Sequence, residues 1–246
     1  MRSFVSSQTG ISCAHCRAAV ACWAKPVLML EVLCSLGTLM EPYAQQIGFE
    51  AENAGCDRAG EPVVRGVSFS FSPGDALQLF GPNGSGKSSL LSMFAGLIPL
   101  AEGALRWHLG DEQSATPFEQ SVFFLGHDAS VKPSLTAREN LSFWAACYGA
   151  GKERIDAAID SVKAMTFADL RASRLSAGQR RRIDLARAVL ADRPVWLLDE
   201  PAAAIDSDGV EVIRNMIAEH RARGGLAIIA THDHLGSGYQ RLELGR

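Results

Sequence analysis

Long apolar runs are missing from this 246-residue chain. The most hydrophobic early stretch, 27–40, is broken by Glu31 and Gly37 and follows Lys25-Pro26, so it falls short of the roughly 20 apolar residues a membrane-spanning helix needs. Excess positive charge is missing too. The 24 Lys and Arg against 27 Asp and Glu give a net charge of -3, which leaves no electrostatic footprint for nucleic acid. Cysteine is sparse: Cys13 and Cys16 have the C-x2-C spacing of zinc sites, near His15 and Cys22, but no second pair completes a site. The cysteines in the body are scattered, as in a reduced compartment. There is no internal repeat and no low-complexity tract. What remains is about two hundred residues of apolar periodicity, enough for one α/β core with a helical insertion.

Gly81-Pro82-Asn83-Gly84-Ser85-Gly86-Lys87-Ser88-Ser89 is a full G-x-x-x-x-G-K-[ST] phosphate loop. It follows an apolar run of strand length, 75–80, and opens a helical stretch, 88–95, with Leu90, Leu91 and Phe94 at helical spacing. The chemistry requires that context. Glycines let bare N–H groups wrap phosphates, and the helix start adds the positive end of its dipole. Lys87 supplies a point charge to the outer phosphates, and the Ser88 hydroxyl suits a Mg2+ ligand. The expected nucleotide is ATP.

Pro194-Val195-Trp196-Leu197-Leu198-Asp199-Glu200-Pro201 reads as a buried parallel strand ending in two acids. Ligands bind at such carboxyl ends in open α/β sheets. Asp199 is expected to hold Mg2+, directly or through water, and Glu200 to polarise the attacking water as general base. Downstream, Ile228-Ile229-Ala230-Thr231-His232 is another buried strand, ending in a histidine.

With Leu175-Ser176-Ala177-Gly178-Gln179 between these segments, the chain from about residue 47 to 246 resembles an ABC transporter ATP-binding subunit. The resemblance implies a P-loop NTPase fold: a RecA-like core sheet, an antiparallel β subdomain and a helical signature subdomain at roughly 128–180. It implies that the signature pentapeptide contacts ATP held by a second copy of the chain in a facing dimer. It also implies a D-loop at Ala203-Ala204-Ile205-Asp206, with Asp206 contacting the opposing subunit, and a switch role for His232 at the γ-phosphate. The partners implied are that second copy and an integral membrane permease. Gly126-His127, Lys132-Pro133-Ser134-Leu135-Thr136, Glu139-Asn140-Leu141 and Phe143-Trp144, with Leu-Ser-Ala-Gly-Gln before three arginines, are similar to the cytochrome c biogenesis ATP-binding (haem exporter) subunits, CcmA. That subgroup implies an ATPase on the cytoplasmic face of the bacterial inner membrane. No C-x-x-C-H occurs, so no direct haem binding is expected. Other ABC transporters, or a soluble assembly ATPase, would use the same catalytic residues.

Two departures stand out. His127 takes the place of the family's usual glutamine, twelve positions before Glu139. Either it contacts Mg2+ and links nucleotide to partner, or it only shapes the cleft. No aromatic residue precedes the phosphate loop near Cys56-Asp57-Arg58, so Arg58 stacks on adenine or the base is held loosely. Strands are expected at 63–71, 76–80, 121–125, 195–198 and 226–230, together supplying the sheet, and helices at 136–149, 153–165 and 175–191. Arg180, Arg181 and Arg182 read as a solvated helix face, with contact to the neighbouring chain as the alternative. Trp144 and Tyr148 share a helical face with Leu141, so Phe143 points elsewhere; the resemblance implies that it faces a cleft for the membrane partner. Residues 1–39 belong to no motif. Since Met29 and Met40 are further potential starts, this segment is expected to be untranslated or disordered.

Overall fold

The computed structural model describes Tyr43 and residues 47–109, 121–232 and 238–245. The expectation for residues 1–39 lies outside the described residues. In order the elements are β1 (Ile47–Arg58), β2 (Glu61–Phe71), β3 (Ala76–Phe80), α1 (Lys87–Phe94), β4 (Leu100–Leu109), β5 (Val122–Leu125), α2 (Ala137–Tyr148), α3 (Arg154–Ser161), α4 (Ala177–Ala191), β6 (Val195–Asp199), α5 (Ser207–Ala222), β7 (Leu226–Ala230) and β8 (Gln240–Glu243). Short 3-10 turns at Met165–Phe167 and Ala172–Arg174 lead into α4.

The strands form two sheets, a parallel one ordered β5-β6-β7-β3-β8 and an antiparallel one ordered β2-β1-β4. In β6 every residue is buried. Trp196 and Leu198 enter a core shared with α2, α4 and α5, whereas Val195 and Leu197 enter a second core shared with α1 and the antiparallel sheet. Both faces are covered, which is why the strand reads as an unbroken apolar run. Phe49 of β1 stacks on Trp107 of β4 at 3.9 Å and meets Phe94 of α1 edge-on at 5.3 Å. These contacts pin the antiparallel sheet onto the phosphate-loop helix.

Some elements differ from expectation. The 63–71 run lies in β2 and joins the antiparallel sheet, not the parallel one. The cause is local: Ala59 (φ 52°) and Gly60 (φ 84°) close a two-residue hairpin with Arg58 opposite Glu61. The 153–165 helix ends at Ser161, where Lys163 turns left-handed (φ 52°) and the N–H groups of Lys163 and Ala164 return to Asp160 O and Ile159 O. Strands β1 and β4 supply, with β2, the antiparallel subdomain that the resemblance implied, although no sequence run was assigned to them, and β8 was not assigned either. Register shifts interrupt β1 beside Asn53 (φ 47°), which hides its alternation.

Helices α2 and α4 match their sequence signals closely. Thr136 and Ser176 each close a capping box, with Glu139 and Gln179 respectively, and Gly149 ends α2 in the left-handed region. No helix among the described residues is long and apolar enough to cross a membrane.

Candidate active site

Four strand ends converge at one rim of the parallel sheet. β3 leads into Gly81, β5 into His127, β6 into Glu200 and β7 into His232. The phosphate loop is held by close backbone packing. A side chain at Gly81 (φ 149°) would strike Leu244 O at 2.5 Å, and one at Gly86 (φ 97°) would strike Val64 at 2.6 Å. Gly86 caps α1 without any side-chain hydrogen bond, and no acid sits in the first turn. The early N–H groups of α1 therefore face the loop mouth, available to an anion. Lys87 is buried, and its Nζ donates to Gly81 O (2.7 Å) and Pro82 O (3.1 Å) across that mouth. Pro82, Asn83, Gly84, Ser85, Ser88 and Ser89 complete the loop and the start of the helix.

Asp199 is 3% exposed, and its Oδ1 has no hydrogen-bond partner among the described residues. It lines a cavity of about 760 Å3 together with Ser88, Ser89, His127 and Arg58. A buried carboxylate with an orphaned oxygen, lining the same cavity as the serine that follows Lys87, is a fit donor set for a hard divalent cation. Among the described residues no group of three or more His, Cys, Asp or Glu could hold a metal, so such an ion would take its remaining ligands from phosphates and water.

Glu200 has φ 48°, an uncommon angle for a non-glycine residue, and its N–H donates to Ala230 O at 2.8 Å. Burial pushes its carboxyl pKa up, while the nearby His232 and Lys87 oppose that rise. His232 Nε2 is hydrogen-bonded to Asn83 Oδ1 at 3.0 Å and lies 3.3 Å from Glu200 Oε1. One imidazole thus joins the phosphate loop to the second carboxylate. A carboxylate made more basic by burial and steadied by a histidine is suited to accept a proton from water.

The signature residues sit elsewhere. Leu175 is buried and Ser176 is exposed at the start of α4, with its Oγ accepting from Gln179 N at 3.1 Å. None of Leu175, Ser176, Ala177, Gly178 and Gln179 lines the 760 Å3 cavity. Ala177 instead borders a second cavity of about 460 Å3 with His127, Arg180, Ala203 and Ala204. Gly178 is required by packing within the chain, since a Cβ there would meet Ala204 O at 2.5 Å. Asp206 caps α5 through Gly209 N (3.0 Å) and pairs with Arg182, and these two contacts hold its pKa down, the Gly209 bond first.

The arginine run is the main correction. Arg181 is 3% exposed, not a solvated face, and Arg182 is taken up by Asp206 within the same chain. Arg180 donates to Leu175 O. Arg181 donates to Gly126 O, His127 O, Asp199 O and Glu200 O, so it touches the backbone of two rim segments. The signal available was Asp184, three residues on and one helical turn away. Phe143 is 58% exposed, while Trp144 and Tyr148 pack against the core and stack on each other.

The family model for ABC transporters matches residues 64–203. The cytochrome c biogenesis ATP-binding export protein CcmA of Paramagnetospirillum magneticum is 43% identical over 203 residues, covering 80% of this chain and 93% of that relative. The protein of the same name from Paracoccus denitrificans is 44% identical over 179 residues, covering 73% and 80%. Among solved structures, an ABC transporter ATP-binding protein from Pyrococcus furiosus has a TM-score of 0.70 at 24% identity, covering 80% of this chain and 97% of that one. An ATP-binding cassette of an ABC transporter in its ADP conformation has a TM-score of 0.66 at 22% identity, covering 80% and 87%. With this fold, this rim and these relatives, the chain belongs to the ABC transporter ATP-binding family, among the cytochrome c biogenesis ATP-binding export proteins.

Proposed function

We propose that this chain is the ATP-hydrolysing, energy-coupling subunit of an ABC exporter serving c-type cytochrome biogenesis, in the haem-transport class. The observation that carries the chemistry is the convergence of Lys87, Asp199, Glu200 and His232 on one rim, with His232 bridging Asn83 and Glu200. The cytochrome c assignment is supported by the CcmA relatives.

The loop amides and Lys87 bind and orient the ATP phosphates. Ser88 and Asp199 would hold a Mg2+, which neutralises charge developing on the β- and γ-phosphates when bound. Glu200 takes the proton of the attacking water, and its raised pKa strengthens it for that task. His232 keeps Glu200 aligned with the phosphate loop and senses the outer phosphate. The exposed Ser176 and Ala177 are presented outward, as they must be to complete the ATP site of a second copy.

The membrane partner is an integral permease, and the chain binds it peripherally at the cytoplasmic face of the bacterial inner membrane, where ATP is supplied. Phe143 is the proposed anchor, because it is exposed beside a packed Trp144 on α2. What crosses the membrane is decided by that partner. Residues 47–246 would form the cassette, with the segment from about 128 to 180 as its helical part.

The test is deletion of the gene with complementation, together with co-purification from mildly solubilised membranes. Loss of c-type cytochromes and recovery of a membrane subunit are expected. Intact cytochromes with a membrane partner would assign the chain to another ABC transporter, and recovery of only a soluble scaffold would overturn the transporter reading. A Lys87→Ala chain mixed with a Ser176→Arg chain tests the facing dimer. Both defects then fall in one site, so the other site should restore partial ATPase activity. No rescue where heterodimers demonstrably form would rule the arrangement out.

A further inference from the structure

Arg181, Asp184 and Arg187 lie three residues apart along α4, close to one face of the helix. All three are buried, with Asp184 fully so. Arg181 approaches Asp184 Oδ2 at 3.6 Å, and Arg187 bonds Asp184 Oδ1. At one end, the Arg181 fork reaches Gly126 O (2.7 Å), His127 O (3.3 Å), Asp199 O and Glu200 O (3.0 Å). At the other end, the Arg187 guanidinium lies 3.9 Å from the centre of the Trp144 ring and donates to Tyr148 OH at 3.2 Å. Trp144 in turn meets the exposed Phe143 edge-on at 5.4 Å. A continuous chain of contacts therefore runs from the carbonyls beside the two site acids to the outer surface of α2.

The chemistry of this chain is not that of ordinary packing. Burying an acid between two arginines carries a desolvation penalty that apolar residues of similar volume would avoid. What the planar fork provides is geometry: one rigid group spans two rim segments and fixes their separation, which a flexible lysine ammonium cannot do. A single negative charge then ties that fork to a second one, stacked on an aromatic ring.

We propose that Arg181 is a positioning residue for hydrolysis, setting Glu200 relative to His127, and that Asp184 and Arg187 transmit the state of this clamp to Trp144 and the docking face of α2. The proposal rests on the reading of Glu200 as the base. Because Arg181 binds carbonyls of the rim and not the nucleotide, disturbing the clamp should act on turnover while leaving ground-state ATP binding alone.

The experiment uses the full chain. Asp184→Asn and Arg181→Lys should each lower kcat by about 10-fold or more, with KM for ATP changed by less than about twofold. The second readout is the ATP-induced change in tryptophan fluorescence. Its Trp144 share is obtained by subtracting the signal of a Trp144→Phe chain. That share should be present in the wild type and lost in Asp184→Asn at saturating ATP. Wild-type kcat together with an intact Trp144 response in Asp184→Asn would overturn the proposal, reducing the triad to packing. So would a fall in kcat that only follows the fraction of folded protein. Should Asp184→Asn fail to fold, Arg187→Lys, which keeps the charge but loses the planar face over Trp144, decides on the same two outcomes. Glu200→Gln separates the two readings. If it loses turnover but keeps the Trp144 response, the base stands and the triad is judged by its own variants. If it keeps turnover, the Glu200 assignment fails, and with it the stated target of the clamp, whatever the fluorescence shows.

Discussion

At the rim of the parallel sheet the determinants are local and largely backbone: loop N–H groups, a glycine-closed turn, and acids set one residue apart at the end of β6. Between helices α2 and α4 they are distant side chains, with Arg181, Asp184 and Arg187 of α4 meeting carbonyls after β5 and β6 and rings on α2. In the proposed mechanism both regions bear on the same chemistry. The difference teaches that catalytic groups can be set by short motifs, whereas the contacts that hold those groups in relation to each other need the folded chain.

The largest expected effect breaks the rim itself. Glu200→Gln keeps the loop, Lys87 and Asp199 but removes the proposed base, so ATPase activity should fall ~10²–10⁴-fold while ATP binding persists. Near-normal phosphate release would show that Glu200 is not the base. The same variant should accumulate as an ATP-bound dimer, visible by gel filtration.

Acid stability is the next lever, and it lies beneath the rim and not on it. His220 stacks on Trp196 at 4.0 Å, accepts from Tyr43 OH at Nδ1 (3.0 Å) and donates from Nε2 to Leu226 O (3.1 Å), so its neutral form is fully satisfied. Burial pushes its pKa down to about 3, against an ordinary value of 6.5. The unfolded chain therefore binds the extra proton first. This stabilisation is complete above about pH 6.5 and is lost as pH falls from there towards about 3, by at most ~1.4 kcal/mol per unit. Urea unfolding of wild type and His220→Gln at pH 7, 5.5 and 4.5 measures it. The variant should show the shallower dependence on pH, and equal slopes would place the acid sensitivity elsewhere.

Phe143→Ala sharpens the contrast from the insertion side. Truncating an aromatic anchor at an interface centre often removes ~2 kcal/mol of binding, here about a 30-fold weaker assembly with the membrane subunit. Basal ATPase activity and melting temperature should hardly move, because the ring is 58% exposed. Unfolding would make Phe143 a core residue, and unchanged assembly would move the docking surface away from α2.

The smallest effect tests the local rules. Thr136 accepts from Glu139 N at 3.1 Å, and Glu139 Oε2 accepts from Thr136 N at 2.8 Å. Thr136→Ala should lower stability by ~1 kcal/mol in chemical denaturation. No change would mean that tertiary packing alone sets the start of α2.

Several features were legible because their causes lie within a few residues. The phosphate loop needs glycines at fixed offsets, the two helix starts are capping boxes, and β3, β6 and β7 are apolar runs bounded by turns. Others were illegible for equally physical reasons. Bulges remove the alternation of β1, and a two-residue turn moves β2 into another sheet. The run at 180–182 was read as solvated because three adjacent charges usually are. Yet consecutive helical residues point about 100° apart, so Arg181 turns inward to four carbonyls while Arg182 turns to Asp206 and Arg180 to Leu175 O.

By itself the sequence determined the class of this protein, its nucleotide loop, the acids at the end of one strand and the histidine at the end of another, because each is a pattern of neighbours under local backbone geometry. Tertiary structure alone decided that His232 lies between Asn83 and Glu200, that Asp199 lines one cavity with Ser88 and His127, and that one arginine of three binds the carbonyls of the rim. Those relations join residues up to 149 positions apart in the chain. They exist only where the sheet order β5-β6-β7-β3 brings four strand ends side by side.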